Sequence, residues 1–145
     1  MAQDTRLPGA KYFDPSRPPR REPEFGTASQ ADLPAFLGIM RIVHEPPMAG
    51  SFARLLTDEP LPGDLVPLAH LFEEVSTLAV HRLISEDLLF DAFAIDLYWE
   101  QLKATIQGVR ESSSNPKFCE NFEICADLAR TYRELRPAKP PDRPR

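Results

Sequence analysis

The chain has 145 residues, a formal net charge of −5 at pH 7 and a hydrophobic fraction of 42%, which suits one domain with one modest core. Residues 29–133 carry sixteen acidic and eight basic side chains, an excess that repels phosphates and argues against nucleic-acid binding. No apolar run approaches the ~20 residues of a membrane-spanning helix, so we expect no membrane partner.

Proline is concentrated at both ends of the chain. Nine of the 16 prolines lie in residues 1–28 and 134–145. Segments rich in proline and charge bury too little apolar surface to offset the entropy of ordering. The sequence therefore predicts disordered tails at 1–28 and 134–145 around a domain at 29–133. The first tail holds three large aromatic residues that could dock it onto the domain: Tyr12, Phe13 and Phe25.

Two helices are predicted in the first part of the domain. The first begins at Ser29, an N-cap residue followed by Asp32 at the position of a capping box. It ends at Pro46-Pro47, because proline cannot continue the helical hydrogen bonds. A shorter helix is predicted at about 48–57.

The third helix is predicted to begin at Asp64 as its N-cap, with Pro67 in the first turn. Its wide apolar face predicts neighbouring helices on more than one side. The two glutamates of the helix lie on different faces. Glu74 shares a polar stripe with His70, whereas Glu73 lies on an apolar stripe and should be partly buried.

Ser85 is predicted to cap a fourth helix that continues to about Val109. A last helix is predicted to begin at Asn115-Pro116, an N-cap followed by an N1 proline, and to end before Pro137. The sequence shows no segment with the periodicity of a strand. It therefore predicts an all-α protein, a compact bundle of four to five helices.

Three acids occupy helix stripes that begin apolar: Glu73, Asp96 and Glu100. They could form a ligand or catalytic cluster, or they could pair with basic side chains at helix crossings. Bundle metal sites need two Glu-x-x-His pairs, and the chain offers only one, in reversed order, at His70 and Glu73. Because buried charges are usually paired, we favour the ion pairs and assign no metal, cofactor or catalytic residue.

Other side chains suggest a partner surface rather than a reaction. Phe90 falls off both apolar stripes of the fourth helix, so an exposed Phe90 beside Tyr98 is the expected partner-binding surface. Cys119 and Cys125 belong to no zinc or catalytic motif. Free thiols point to a reducing cytoplasm.

Four short motifs follow one another in the central stretch: Leu71-Phe72-Glu73-Glu74-Val75, Arg82-Leu83-Ile84-Ser85-Glu86-Asp87-Leu88, Tyr98-Trp99-Glu100, and Asn115-Pro116 with Glu120-Asn121-Phe122-Glu123. In their order and gaps they resemble a bacterial family catalogued as domain of unknown function 4760. The resemblance covers roughly residues 64–130 and departs at Leu71, where the family tends to have phenylalanine. The resemblance implies no activity, but it implies that Phe72, Glu73, Trp99 and Glu100 belong to one recurring helix-pairing unit.

The leading functional hypothesis is a non-enzymatic interaction or regulatory protein that binds a protein partner, or a second copy of itself, through a helix face. The alternative is a small-ligand-binding or enzymatic bundle that uses Glu73, Asp96 and Glu100. The second hypothesis requires those three acids to converge, and the first requires an exposed apolar surface.

Overall fold

A computed structural model describes residues 22–135. This part of the chain is all-α, as the sequence predicts, and it contains six α-helices after a short 3-10 helix at Gln30–Asp32. The helices are α1 Leu33–His44, α2 Met48–Leu56, α3 Pro62–Val80, α4 Glu86–Ala92, α5 Ile95–Ser113 and α6 Glu120–Leu135. None of them is both long and apolar enough to cross a membrane.

The predicted N-cap at Ser29 is present. Its hydroxyl accepts a hydrogen bond from the Ala31 backbone N–H, and its own N–H donates to the Asp32 carboxylate at 2.7 Å. The other Asp32 oxygen accepts the backbone N–H of Ser85 at 2.8 Å. One carboxylate therefore closes the start of the first helical segment and attaches it to the start of α4.

Helix α3 begins at Pro62 with Leu61 as its N-cap, three residues before the N-cap predicted at Asp64. Asp64 is not the N-cap, because its carboxylate forms a two-point ion pair with Arg54 of α2 at 2.7 Å and also accepts the Ser51 hydroxyl. The same carboxylate accepts the Leu61 backbone N–H at 2.8 Å. Asp64 thus joins α2 to the first turn of α3, and the Arg54 guanidinium holds the pKa of that carboxyl well below its usual range.

The predicted fourth helix is two helices. It breaks at Phe93, whose backbone is extended with φ −132° and ψ 132°. The break turns the buried Phe93 ring onto Phe52 of α2, with centroids 6.1 Å apart. This tertiary contact overrides the helical periodicity on which the prediction rested.

Helix α6 begins at Glu120 rather than at Asn115. Asn115 does initiate a turn, since its side chain accepts the Lys117 backbone N–H at 3.1 Å. The turn cannot continue as a helix, because Cys119 adopts a left-handed conformation with φ 58°. The interruption gives α6 a start of its own, with Phe122 in its first turn.

The core lies between α3, α5 and α6, and α6 packs mainly against the other two. Its centre is an aromatic cluster around Phe72 and Phe122, whose ring centroids lie 5.6 Å apart. Trp99 meets Phe122 edge-on at 5.2 Å, and Tyr98 lies 4.9 Å from Phe72. Aromatic pairs in these tilted and edge-on geometries are favourable beyond the area that they bury.

Residues 22–28 belong to the described part of the chain, although the sequence places them in the first tail. Phe25 packs edge-on against Tyr132 of α6 at 5.3 Å. The predicted disordered tails also include residues 1–21, with Tyr12 and Phe13, and residues 136–145. Both ranges lie outside the described residues.

Helix α5 ends at a position that would suit glycine better than the serine that occupies it. Ser114 has φ 53°, and its backbone N–H closes the last turn on the carbonyls of Arg110 and Glu111. We expect Ser114→Gly to raise the free energy of unfolding by about 0.5–1 kcal/mol, because glycine adopts this conformation without steric cost. Urea denaturation followed by circular dichroism measures the change. The matched change Ser112→Gly, within the helix, should lower stability by a similar amount; equal effects of both changes would contradict the assignment.

Candidate functional site

Glu73 does not face another acid. Its carboxylate accepts the backbone N–H of Phe122, in the first turn of α6, at 2.9 Å. The neighbouring Thr77 hydroxyl donates to the Glu73 backbone carbonyl at 2.7 Å and accepts the side-chain amide of Asn121 at 3.0 Å. The first-turn N–H groups of a helix have no partner within the helix, so Glu73 of α3 acts as a cap for α6.

The surroundings of Glu73 act on its charge in opposite directions. Burial raises the pKa of its carboxyl above the usual value, while the hydrogen bonds from Phe122, Asn121 and Thr77 lower it. Burial is the larger effect. The positive end of the α6 dipole favours the ionised form as well. A carboxylate held in this way stabilises a helix junction.

Asp96 is buried at the start of α5 and pairs with Arg133 near the other end of α6. Two nearly parallel hydrogen bonds join them, at 2.8 Å and 2.9 Å. This guanidinium lowers the pKa of the Asp96 carboxyl. Phe122 and Arg133 are eleven residues apart, which places the Glu73 and Asp96 contacts about 16 Å apart along α6.

Glu100 is the third predicted acid, and its side chain is 51% exposed. It lies 2.6 Å from the Lys103 ammonium and 3.8 Å from the Arg130 guanidinium. Each of the three acids therefore contacts a different set of groups. The cluster that the alternative hypothesis requires does not form.

Phe90 and Tyr98 are both buried, at 7% exposure each. The Phe90 ring packs on Tyr132 at 6.0 Å, and the Tyr98 ring packs edge-on against Phe52 at 5.7 Å. The expectation that these two residues form an exposed surface is wrong. The break at Phe93 is the reason, because it separates the two residues into helices that turn different faces to the core.

The exposed neighbour of Tyr98 is Leu97, at 51% exposure. One turn later, the Gln101 side-chain amide donates to the carbonyl of Leu55 at 3.0 Å and to the Asp58 carboxylate at 2.9 Å. Leu56, beside this bridge, is 57% exposed. We call the outward row of α5 together with this leucine the α5 face: Leu56, Leu97, Gln101, Ala104 and Gly108. The spacing of the last four, at i, i+4, i+7 and i+11, is a sequence signal for one helix face.

A second surface feature lies at the junction of α3 and α4. A cleft of about 420 Å³ is lined there by Glu24 and Thr27 of the N-terminal segment, by Ala31 of the 3-10 helix, and by Arg82 and Leu83 of the junction. The sequence did not predict the contacts of Glu24 with Arg82 and Glu86, because they join residues about sixty positions apart.

The two cysteine side chains are enclosed. Cys119 and Cys125 are free and buried. Burial raises the pKa of the Cys119 thiol to about 12, which opposes formation of the nucleophilic thiolate. Within residues 22–135, no group of three or more His, Cys, Asp or Glu side chains is placed to hold a metal ion.

The capping role of Glu73 predicts a contrast between two substitutions. Glu73→Gln keeps an oxygen acceptor for the Phe122 N–H, so we expect stability within about 1 kcal/mol of wild type. Glu73→Ala leaves that N–H unpaired and should cost about 2–3 kcal/mol. Urea denaturation measures both, with the exposed neighbour Glu74→Ala as the control, which should cost less than about 0.5 kcal/mol. Equal losses for Gln and Ala at position 73 would contradict the cap.

The ion pair of Asp96 predicts a dependence on pH. Its folded-state pKa is lowered, so its contribution is present above the unfolded value of about 3.9 and is lost as the pH falls through the folded value. We expect Asp96→Asn to cost about 1 kcal/mol at neutral pH, since solvent screens the half-exposed Arg133. The difference from wild type should shrink by about pH 3. Denaturation at both pH values measures it, and a difference that does not change with pH would refute the pairing.

The comparisons with known proteins concern the central helices. The family described as Domain of unknown function (DUF4760) matches residues 47–129, more than half of the chain. No curated protein and no solved structure matches the chain at a significant level. The match runs from α2 into α6 and contains the junctions made by Asp64 and Glu73, whereas α1 and the N-terminal segment precede it. The chain belongs to the DUF4760 family.

Proposed function

We propose that this protein is a non-enzymatic interaction protein that binds a protein partner through the α5 face. The observation that carries the proposal is the exposure of Leu97 and Leu56, which lie on either side of the Gln101 bridge and are each more than half exposed. Single exposed leucines are common on protein surfaces. Two of them beside a row of small residues indicate a contact surface.

The shape of the α5 face suits a partner helix. Ala104 and Gly108 are exposed, and a Cβ atom at Gly108 would meet no other heavy atom within 4 Å. Small side chains at such a spacing let another helix approach closely. The row from Leu97 to Gly108 runs about 16 Å, close to three helical turns. These dimensions fit the recognition of an amphipathic helix through its apolar stripe.

The charges around the α5 face select the kind of helix. Asp58, Glu59 and Glu111 are exposed at its margins, and residues 22–135 carry nineteen acidic and eight basic side chains. A symmetric contact with a second copy would bring the same acids together, and nucleic-acid phosphates would meet the same repulsion. We therefore propose a partner helix with an apolar stripe and basic flanks.

The energetics favour a reversible contact. Covering the exposed halves of Leu56 and Leu97 contributes about 1 kcal/mol each, against an association cost of at least about 4 kcal/mol. Attraction between the acidic margins and a basic helix must supply much of the remainder. Binding should therefore weaken as salt is added.

The use of the acids within the fold also fits this proposal. Glu73, Asp64 and Asp96 each join one helix to another, which is a structural task. We propose that the protein is cytoplasmic; the support is that both of its cysteines are free, since a reducing compartment keeps thiols in that state.

A titration with a defined probe tests the α5 face. The probe is a synthetic amphipathic helix of leucine and lysine, added to the ¹⁵N-labelled full chain while amide chemical shifts are recorded. We expect saturable shifts centred on Leu56, Leu97, Ala104 and Gly108, because these residues would lie under the helix. Leu97→Asp should weaken the binding at least tenfold.

The chain offers a matched control in Leu37→Asp, since Leu37 on α1 is 56% exposed and lies outside the α5 face. This variant should bind as wild type does. Three results would refute the proposed partner: a helix of leucine and glutamate that binds as well as the helix of leucine and lysine, chemical-shift changes centred on α1, or concentration-dependent dimerisation through α5.

A further inference from the structure

The N-terminal segment at residues 22–28, which we call the strap, makes three contacts with the end of α3 and the start of α4. The Arg82 guanidinium donates to both carboxylate oxygens of Glu24, at 2.8 Å and 2.9 Å. The Glu24 backbone N–H donates to the Glu86 carboxylate at 2.7 Å. The Thr27 hydroxyl lies 3.2 Å from that of Ser85.

The residue that follows Glu24 in the strap adds an aromatic contact. Phe25 meets Tyr132 of α6 edge-on at 5.3 Å, and Tyr132 lies against Phe90 of α4. We call the surface formed by Arg82, Glu86 and Tyr132 the junction groove. It holds an acidic side chain, a backbone N–H and an aromatic ring from two consecutive residues, which is the pattern by which a groove recognises an extended peptide.

Arg82 has an unusual backbone for its role. It follows the C-cap of α3 with φ 58°, a left-handed conformation that is normally taken by glycine. Glycine at this position would remove the guanidinium that binds Glu24. Strained residues that carry a specific contact are often found at binding sites.

The groove and its occupant belong to different parts of the chain. Arg82 and Glu86 lie within the family match at 47–129, and the strap lies before it. Two of the three groove residues thus belong to the matched part of the chain, whereas Tyr132 and the strap lie outside it. Beside the strap, the cleft of about 420 Å³ leaves space that the strap does not fill.

We propose that the junction groove is a binding site for an extended peptide in which an acidic residue is followed by an aromatic one. The strap occupies it in cis through Glu24 and Phe25. A partner segment of the same chemistry would displace the strap by competing for Arg82, Glu86 and Tyr132. This site is separate from the α5 face, and it selects an acidic segment rather than a basic helix.

The test uses the full chain and a fluorescent peptide with the sequence of residues 22–28, followed by fluorescence anisotropy. In the double variant Glu24→Ala/Phe25→Ala the groove is vacated, so the peptide should bind. We expect affinity at least tenfold higher than for wild type, where the tethered strap competes at an effective concentration on the order of millimolar. Circular dichroism establishes that each variant is folded.

A charge exchange separates recognition from stability. Adding Arg82→Glu to the double variant should abolish binding of this peptide and permit binding of a peptide with lysine in place of Glu24. Three results would overturn the proposal: no binding of the peptide to the folded double variant, equal binding of the peptide to wild type and to the double variant, or equal binding of the glutamate and lysine peptides to the Arg82→Glu variant. Exchange of straps between two wild-type chains, seen as a dimer that the double variant lacks, would overturn occupancy in cis.

Discussion

The contact between Glu73 and the first turn of α6 is the constraint on which the arrangement of the central helices depends. A carboxylate on α3 takes the place of a local N-cap and fixes where α6 starts along α3. With that register set, Phe122 lies between Phe72 and Trp99. The far end of α6 then reaches α5 through Arg133 and Asp96. One helix is therefore held at both ends by acids from its two neighbours.

Sequence periodicity predicts the helical class, the start at Ser29, the stop before the two prolines and the inward face of Glu73. These features depend on neighbours within a few residues, or on which side of a helix is apolar. The starts of α3 and α6 and the break at Phe93 depend on distant partners: Arg54, Glu73 and Phe52. The position of Phe90 and Tyr98 could not be predicted for the same reason, because a break in the helix changes which face meets the core.

The placement of the acids bears on function. Those nearest the core are committed to helix junctions, and burial or a single guanidinium accounts for the pKa shift of each. Two surface features are separate from these acids, and each has its own combination of apolar and charged groups. The α5 face combines leucines with an acidic margin, while the junction groove presents Arg82 to an acidic strap. We infer a protein that works through its surfaces, with opposite charge preferences at two places.

Amide hydrogen exchange at Phe122 tests the central claim most directly. An uncapped first-turn amide such as that of Gly63 in α3 has no partner within its helix and should exchange quickly. If the Glu73 carboxylate caps α6, the Phe122 amide should instead exchange slowly, in the range of the core amides of α3. Exchange of Phe122 at the rate of Gly63 would contradict the cap and, with it, our account of how α3 and α6 are held in register.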